Sequence, residues 1–186
     1  VDKLLDLFIA RHAEAKRAST AKLMKQQIEA DIRPAWGKRK IETIGRGDVN
    51  VLLDRIVARG ARVSANRVFS TLRKFLNWCV ERGVIDDSPI RGMSRPMEEA
   101  PRARILSDDE LRWLWTATAD GSAFSVCVRL LVLTGQRRME VGGMRWSELQ
   151  LGGKQPVWTI PANRTKNGRE HMVPLPKAAA DLIETL

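Results

Sequence analysis

Arg137 and Glu140 are the residues of this chain best placed to do chemistry. They stand in Thr134-Gly135-Gln136-Arg137-Arg138-Met139-Glu140-Val141, which runs on to Met144-Arg145-Trp146. The apolar run Cys127-Val128-Arg129-Leu130-Leu131-Val132-Leu133 precedes it and is continuous enough to predict a buried helix. Gly135 then suits the end of that helix, because it enters the left-handed region without steric cost. An arginine held just beyond such an end can aim a rigid fork of donors at a phosphate or a carboxylate. On its own, Arg-x-x-Glu also describes a surface pair one helical turn apart.

A second block carries the next candidates: Trp158-Thr159-Ile160-Pro161, then Arg164-Thr165-Lys166-Asn167-Gly168-Arg169, then His171-Met172-Val173-Pro174-Leu175. Val157 to Ile160 and His171 to Val173 read as short strands, with Asn167-Gly168 as a favoured tight-turn pair between them. In isolation Lys166 would be an ordinary surface lysine. The two blocks together, in this order and spacing, resemble the first catalytic-arginine motif and the lysine-bearing hairpin of the tyrosine recombinases, the phage-integrase family.

These motifs need elements to position them. The first half of the chain reads as helices: Leu4, Leu5, Phe8 and Ile9 share one face over residues 3–17, and Met24, Ile28 and Ile32 point inward in a second helix that Pro34 and Gly37 should stop. Lys38-Arg39-Lys40 forms a basic loop, and a third helix buries Val49, Leu52, Leu53, Ile56 and Val57. A fourth, about 64–82, sets Val68, Leu72, Phe75 and Cys79 in one apolar stripe. Opposite that stripe lie Asn66, Ser70, Arg73 and Asn77, flanked by Arg67 and Lys74. This face has phosphate and base-edge donors and no carboxylate, which favours a DNA-facing surface over a merely solvated one. Pro89, Gly92, Pro96 and Pro101 then give residues 88–104 the composition of a linker. Ser107 and Glu110 predict a capping box, Leu111, Leu114 and Trp115 the apolar side of the helix it opens, and Pro176 or Lys177 a last helix.

The expected fold is therefore mainly α with a small antiparallel sheet: a helical domain over 1–97, a linker over 98–106, and an α+β region over 107–186. In terms of the resemblance, these are a core-binding domain and a truncated integrase catalytic domain.

Charge agrees with a polyanionic partner. The 186 residues carry a net charge of +10. Residues 1–97 hold 20 Lys/Arg against 11 Asp/Glu, a net of +9, whereas residues 98–186 are nearly neutral. Cys79 and Cys127 sit in apolar runs without a CxxC or Cys/His partner, and read as thiols of a reducing compartment. There is no apolar stretch long enough to suggest a membrane span.

The resemblance implies double-stranded DNA as partner, a tetramer on paired duplexes in the full-length protein, no metal or other cofactor, and a bacterial, nucleoid-associated cytoplasmic setting. It implies that a tyrosine attacks a phosphodiester, leaving a 3′-phosphotyrosyl link and a free 5′-hydroxyl. Arg137 would clamp the non-bridging oxygens, Lys166 would protonate the departing 5′ oxygen, and Glu140 would orient the arginine. Lys38, Arg39, Lys40, Asn66, Arg67, Ser70, Arg73, Lys74 and Asn77 would contact DNA. Arg138 and His171 would do so too, although a solvated neighbour and a plain strand histidine are their bland readings. Trp146 and Trp158 read as packing residues, and RNA is disfavoured because no exposed aromatic pair is expected. The chain contains no tyrosine, and the family's later His/Lys-x-x-Arg motif is missing. The expectation is a fragment that binds DNA without cutting it; the rival reading is a non-catalytic DNA-binding regulator or a decayed integrase.

Overall fold

The fourth helix organises the first half. In the computed structural model, which describes residues 1–100 and 103–186, the chain divides into two compact units, Val1–Arg102 and Ala103–Leu186. Pro101 and Arg102, inside the expected linker, lie outside the described residues.

In the first unit, α1 (Asp2–Phe8), α2 (Ala18–Gln27), α3 (Arg33–Trp36), α4 (Arg46–Ala58) and α5 (Arg62–Glu81) enclose one core, and α5 packs against α1, α2 and α4. Val68, Leu72, Phe75 and Cys79 of the predicted stripe are all fully buried. Phe8 meets Phe75 and Trp78 edge-on, with ring centroids 5.5 and 5.7 Å apart. Burial pushes the Cys79 thiol up to about 11, as suits an inert core cysteine.

Pro34 does not stop the second helix. A wide π-type turn at Ile28–Ile32 follows α2, with the Arg33 amide donating to the Ile28 carbonyl, and the chain stays helical through α3. Proline removes a donor and crowds the carbonyl four residues back. The wider turn ahead of Pro34 eases both demands.

The second unit begins with α6 (Asp108–Ala117), opened by the predicted box: Glu110 N donates to Ser107 Oγ and Ser107 N to Glu110 Oε2. Then come α7 (Ala123–Thr134), α8 (Arg138–Val141), β1 (Leu149–Gln150), β2 (Val157–Ile160), β3 (His171–Pro174) and α9 (Lys177–Ile183). The strands form an antiparallel sheet in the order β1-β2-β3, with Ile160 opposite His171. Trp158, Ile160, Val173 and Leu175 join Val126 and Leu130 of α7 and Ile183 of α9 in one core.

Two expectations need correction here. Helix α7 is only partly covered: Val126 and Leu130 are buried, but Cys127, Leu131 and Leu133 are half-buried and Phe124 is exposed. Its apolar character runs around most of the helix, whereas its neighbours among the described residues cover one side. Asn167-Gly168 does not make a two-residue turn either. It lies in the longer loop 161–170, where Gly168 takes a φ of +70°. Among the described residues, no helix is long and apolar enough to cross a membrane.

Candidate active site

The end of α7 sets the site. Gly135 adopts a φ of +63° and its amide donates to the Leu131 carbonyl, closing the helix as the sequence predicts. Arg137 follows in extended conformation and caps α8. Its backbone amide donates to Glu140 Oε2 at 3.1 Å, and its Nη1 donates to Glu140 Oε1 at 3.0 Å. Glu140 is 3% exposed, so both oxygens of a buried carboxylate are engaged by one residue. The Arg137 side chain remains 67% exposed. One edge of the guanidinium is thus anchored and the rest of its donors are presented outward. That is how a phosphate is gripped by a preorganised cation.

What they face is a cavity of about 360 Å³ lined by Gln136 and Arg137 on one side and Thr165, Asn167 and His171 on the other. The two sequence blocks therefore meet, as expected. Lys166 is the exception. Its neighbours Thr165 and Asn167 line the cavity, but Lys166 does not and is exposed at the rim. The buried Thr165 hydroxyl sits 2.7 Å from the Arg169 carbonyl oxygen and 3.0 Å from that of Ala162, and the three residues between Thr165 and Arg169 are all exposed. The structure brings together Arg137, Glu140 and His171. Arg138 is exposed on α8.

The basic surface of the first unit also differs from expectation. Asn66 is 1% exposed. Its amide donates to the Met97 carbonyl and to Glu99 Oε1 and accepts from the Met97 amide, across 31 and 33 positions of sequence. The expectation that Asn66 faces DNA is thus corrected: residues 93–99 return along α5 and use up its side chain. Ser70, half-buried, donates to the Asn66 carbonyl. Arg67 pairs with Glu99 at 3.1 Å. Arg73 donates to the Met93 carbonyl with its guanidinium over the Phe69 ring. Lys74 and Asn77 are exposed. In the basic loop, Lys38 and Lys40 are exposed, while Arg39 donates to Asp48 at 2.5 Å and to the Thr43 carbonyl. Arg39, with help from the Gly45 amide, holds the Asp48 carboxyl below its ordinary range.

Sequence reasoning missed a second pair. Arg164 lies against both oxygens of Glu148, and its Nη2 donates to the Glu140 carbonyl at 2.6 Å. Trp158 Nε1 donates to Glu148 Oε2 at 3.0 Å. Trp158 is the packing residue expected, whereas Trp146 is 60% exposed, and Trp113 and Phe124 are exposed as well. The expectation that Trp146 is a packing residue is corrected. The Gly142-Gly143 pair was the available signal for the Arg164 contact: a Cβ on Gly143 would lie 2.9 Å from Arg164 Nη2.

Comparison with known proteins bears on this geometry. The phage integrase central domain matches residues 2–95, and the phage integrase family matches residues 104–186. Prophage integrase IntA of Escherichia coli K12 is 28% identical over 167 residues, covering 87% of this chain and 40% of its own length. Tyrosine recombinase XerC of Yersinia pestis is 28% identical over 166 residues, covering 86% of this chain and 53% of its own. The chain thus spans about half the length of these curated relatives. A lambda integrase tetramer bound to a Holliday junction superposes with a TM-score of 0.79 at 23% identity, over 99% of this chain and 54% of that one.

Proposed function

The chain belongs to the phage integrase family of tyrosine recombinases, and from that premise we propose that it is the part of a site-specific DNA recombinase that grips the duplex and holds the reacting phosphate. The observation that carries this reading is the Arg137 guanidinium, anchored on a buried Glu140 and presented to a cavity. In the reaction, a tyrosine hydroxyl supplied from outside these 186 residues attacks a phosphodiester. The P–O bond to the 5′ oxygen breaks, and a 3′-phosphotyrosyl link and a 5′-hydroxyl result. Arg137 neutralises charge on the non-bridging oxygens. Lys166, at the rim, delivers the proton to the departing oxygen. Glu140 acts through Arg137, fixing its direction.

The first unit supplies most of the grip. Its excess of positive charge displaces counterions from the phosphate backbone, with exposed Lys38, Lys40, Lys74 and Asn77 and the partly engaged Arg67 and Arg73 at the surface. The partner is double-stranded DNA at an attachment or recombination site. The whole protein works as a tetramer on paired duplexes, on the precedent of the DNA-bound lambda integrase, at the nucleoid in a bacterial cytoplasm and without a cofactor. A rival reading, DNA binding without any cleavage, draws on the absence of tyrosine from these residues.

Titrating the 186-residue chain with duplex DNA at increasing salt tests the reading. Affinity should fall steeply, each phosphate contact adding about 0.9 to the logarithmic slope, and Lys74→Ala should weaken binding by roughly 1 kcal/mol. On a nicked suicide substrate the same chain should form no covalent adduct. A flat salt response would refute the DNA-binding half of the proposal, and an adduct surviving denaturation would refute the assignment of the nucleophile.

A further inference from the structure

We propose that Arg164 is a positioning residue that couples the lysine-bearing loop to the arginine turn, so that Lys166 and Arg137 are held in register through it. This rests on the roles given above to Arg137 and Lys166.

The connection is short and continuous. Lys166 lies two residues beyond Arg164. The Arg164 Nη2 donates to the carbonyl of Glu140, the residue whose carboxylate grips Arg137. Arg164 Nη1 lies on the carboxylate of Glu148, which accepts a further bond from Trp158 of β2. The side chains of Arg164 and Glu148 are 15% and 6% exposed, so the pair is largely withdrawn from water. Such a pair holds its geometry because either partner alone would be an uncompensated buried charge. Gly143 makes room for it: a Cβ there would approach Arg164 Nη2 to 2.9 Å and the Met139 carbonyl to 3.2 Å. The planar guanidinium meets the Glu148 carboxylate and the Glu140 carbonyl with two separate nitrogens held at a fixed spacing. A lysine at this position would keep the charge but replace the rigid two-nitrogen fork by one nitrogen on a flexible stem, loosening the link between the two partners.

Two measurements decide the matter. In the 186-residue chain, Arg164→Lys should speed amide hydrogen exchange in residues 138–144 and in residues 161–170 together, leaving the first unit unchanged. Exchange that rises in one segment alone, or in neither, overturns the coupling. This arm needs neither DNA nor catalysis and stands even if the recombinase reading fails. In a longer form of the protein that supplies the tyrosine, Arg164→Lys should slow cleavage on the order of 100-fold, the penalty of a small misplacement of a reacting group. Most of that loss should return on a substrate with a 5′-bridging phosphorothiolate, whose leaving group needs no proton. Equal loss on both substrates would mean that Arg164 serves stability alone, and overturns its positioning role. Arg164→Ala is the weaker probe, because a unit that loses its buried cation can unfold.

Discussion

Arg137→Ala should lower DNA cleavage by a factor of 100 to 1,000, about the loss on removing one preorganised donor from an anionic transition state, in any form of the protein that supplies the nucleophilic tyrosine. Site binding should change little, since most of the net positive charge resides in residues 1–97. Lys166→Ala should give a comparable defect on ordinary DNA. The two defects part company on a 5′-bridging phosphorothiolate substrate. The lysine variant should recover there, because thiolate departs without a proton, while the arginine variant should not, because charge still develops on the non-bridging oxygens. If Lys166→Ala mainly weakens binding, or is not rescued, then Lys166 is a backbone contact and its exposed position at the rim is its resting place.

Glu148→Ala should destabilise the second unit by about 3–5 kcal/mol, the loss when one partner of a buried ion pair is removed and the other is left behind. Arg164, whose side chain is only 15% exposed in the intact pair, would then lack its carboxylate. Unfolding followed by hydrogen exchange should show residues 103–186 melting earlier while 1–100 hold their transition. The same pair gives a pH dependence. Burial pushes the Glu148 carboxyl up, but bonds from Arg164 and Trp158 together outweigh it, and the group ends below its ordinary value of 4.5. A carboxyl lowered on folding contributes stability that is fully present above 4.5 and lost as pH falls through the lower, folded value. The second unit should therefore weaken in acid below about pH 4.5, and Glu148→Gln should flatten that part of the profile. An unchanged melting temperature in Glu148→Ala would show the pair to be dispensable.

The residues that made the fold legible were those governed by local rules. Gly135 ends α7 in the left-handed region, Ser107 and Glu110 cap α6, and the stripe from Val68 to Cys79 is buried throughout. Each of these depends on neighbours within a few positions. What was not legible depended on distant ones. Asn66 lies on the polar side of a helical wheel, but Met97 and Glu99 come back to it from 31 and 33 positions away. Pro34 looked like a stop because nothing in its own sequence announces the wide turn before it. Trp146 looked like core, and solvent reaches it. Within the site, the arginine–glutamate clamp was readable from spacing. The absence of Lys166 from the cavity lining was not, since it depends on how the whole loop 161–170 folds around the buried Thr165.

The proposed recombinase role requires above all that Arg137 meet a DNA phosphate. The most direct measurement is the NMR resonance of its side-chain Nε–Hε, identified by its disappearance in Arg137→Lys, during titration of the 186-residue chain with a short duplex. This resonance should shift and saturate with the same midpoint as the resonances of residues 38–40 and 74. An Arg137 resonance that stays in place while those residues saturate would contradict that role.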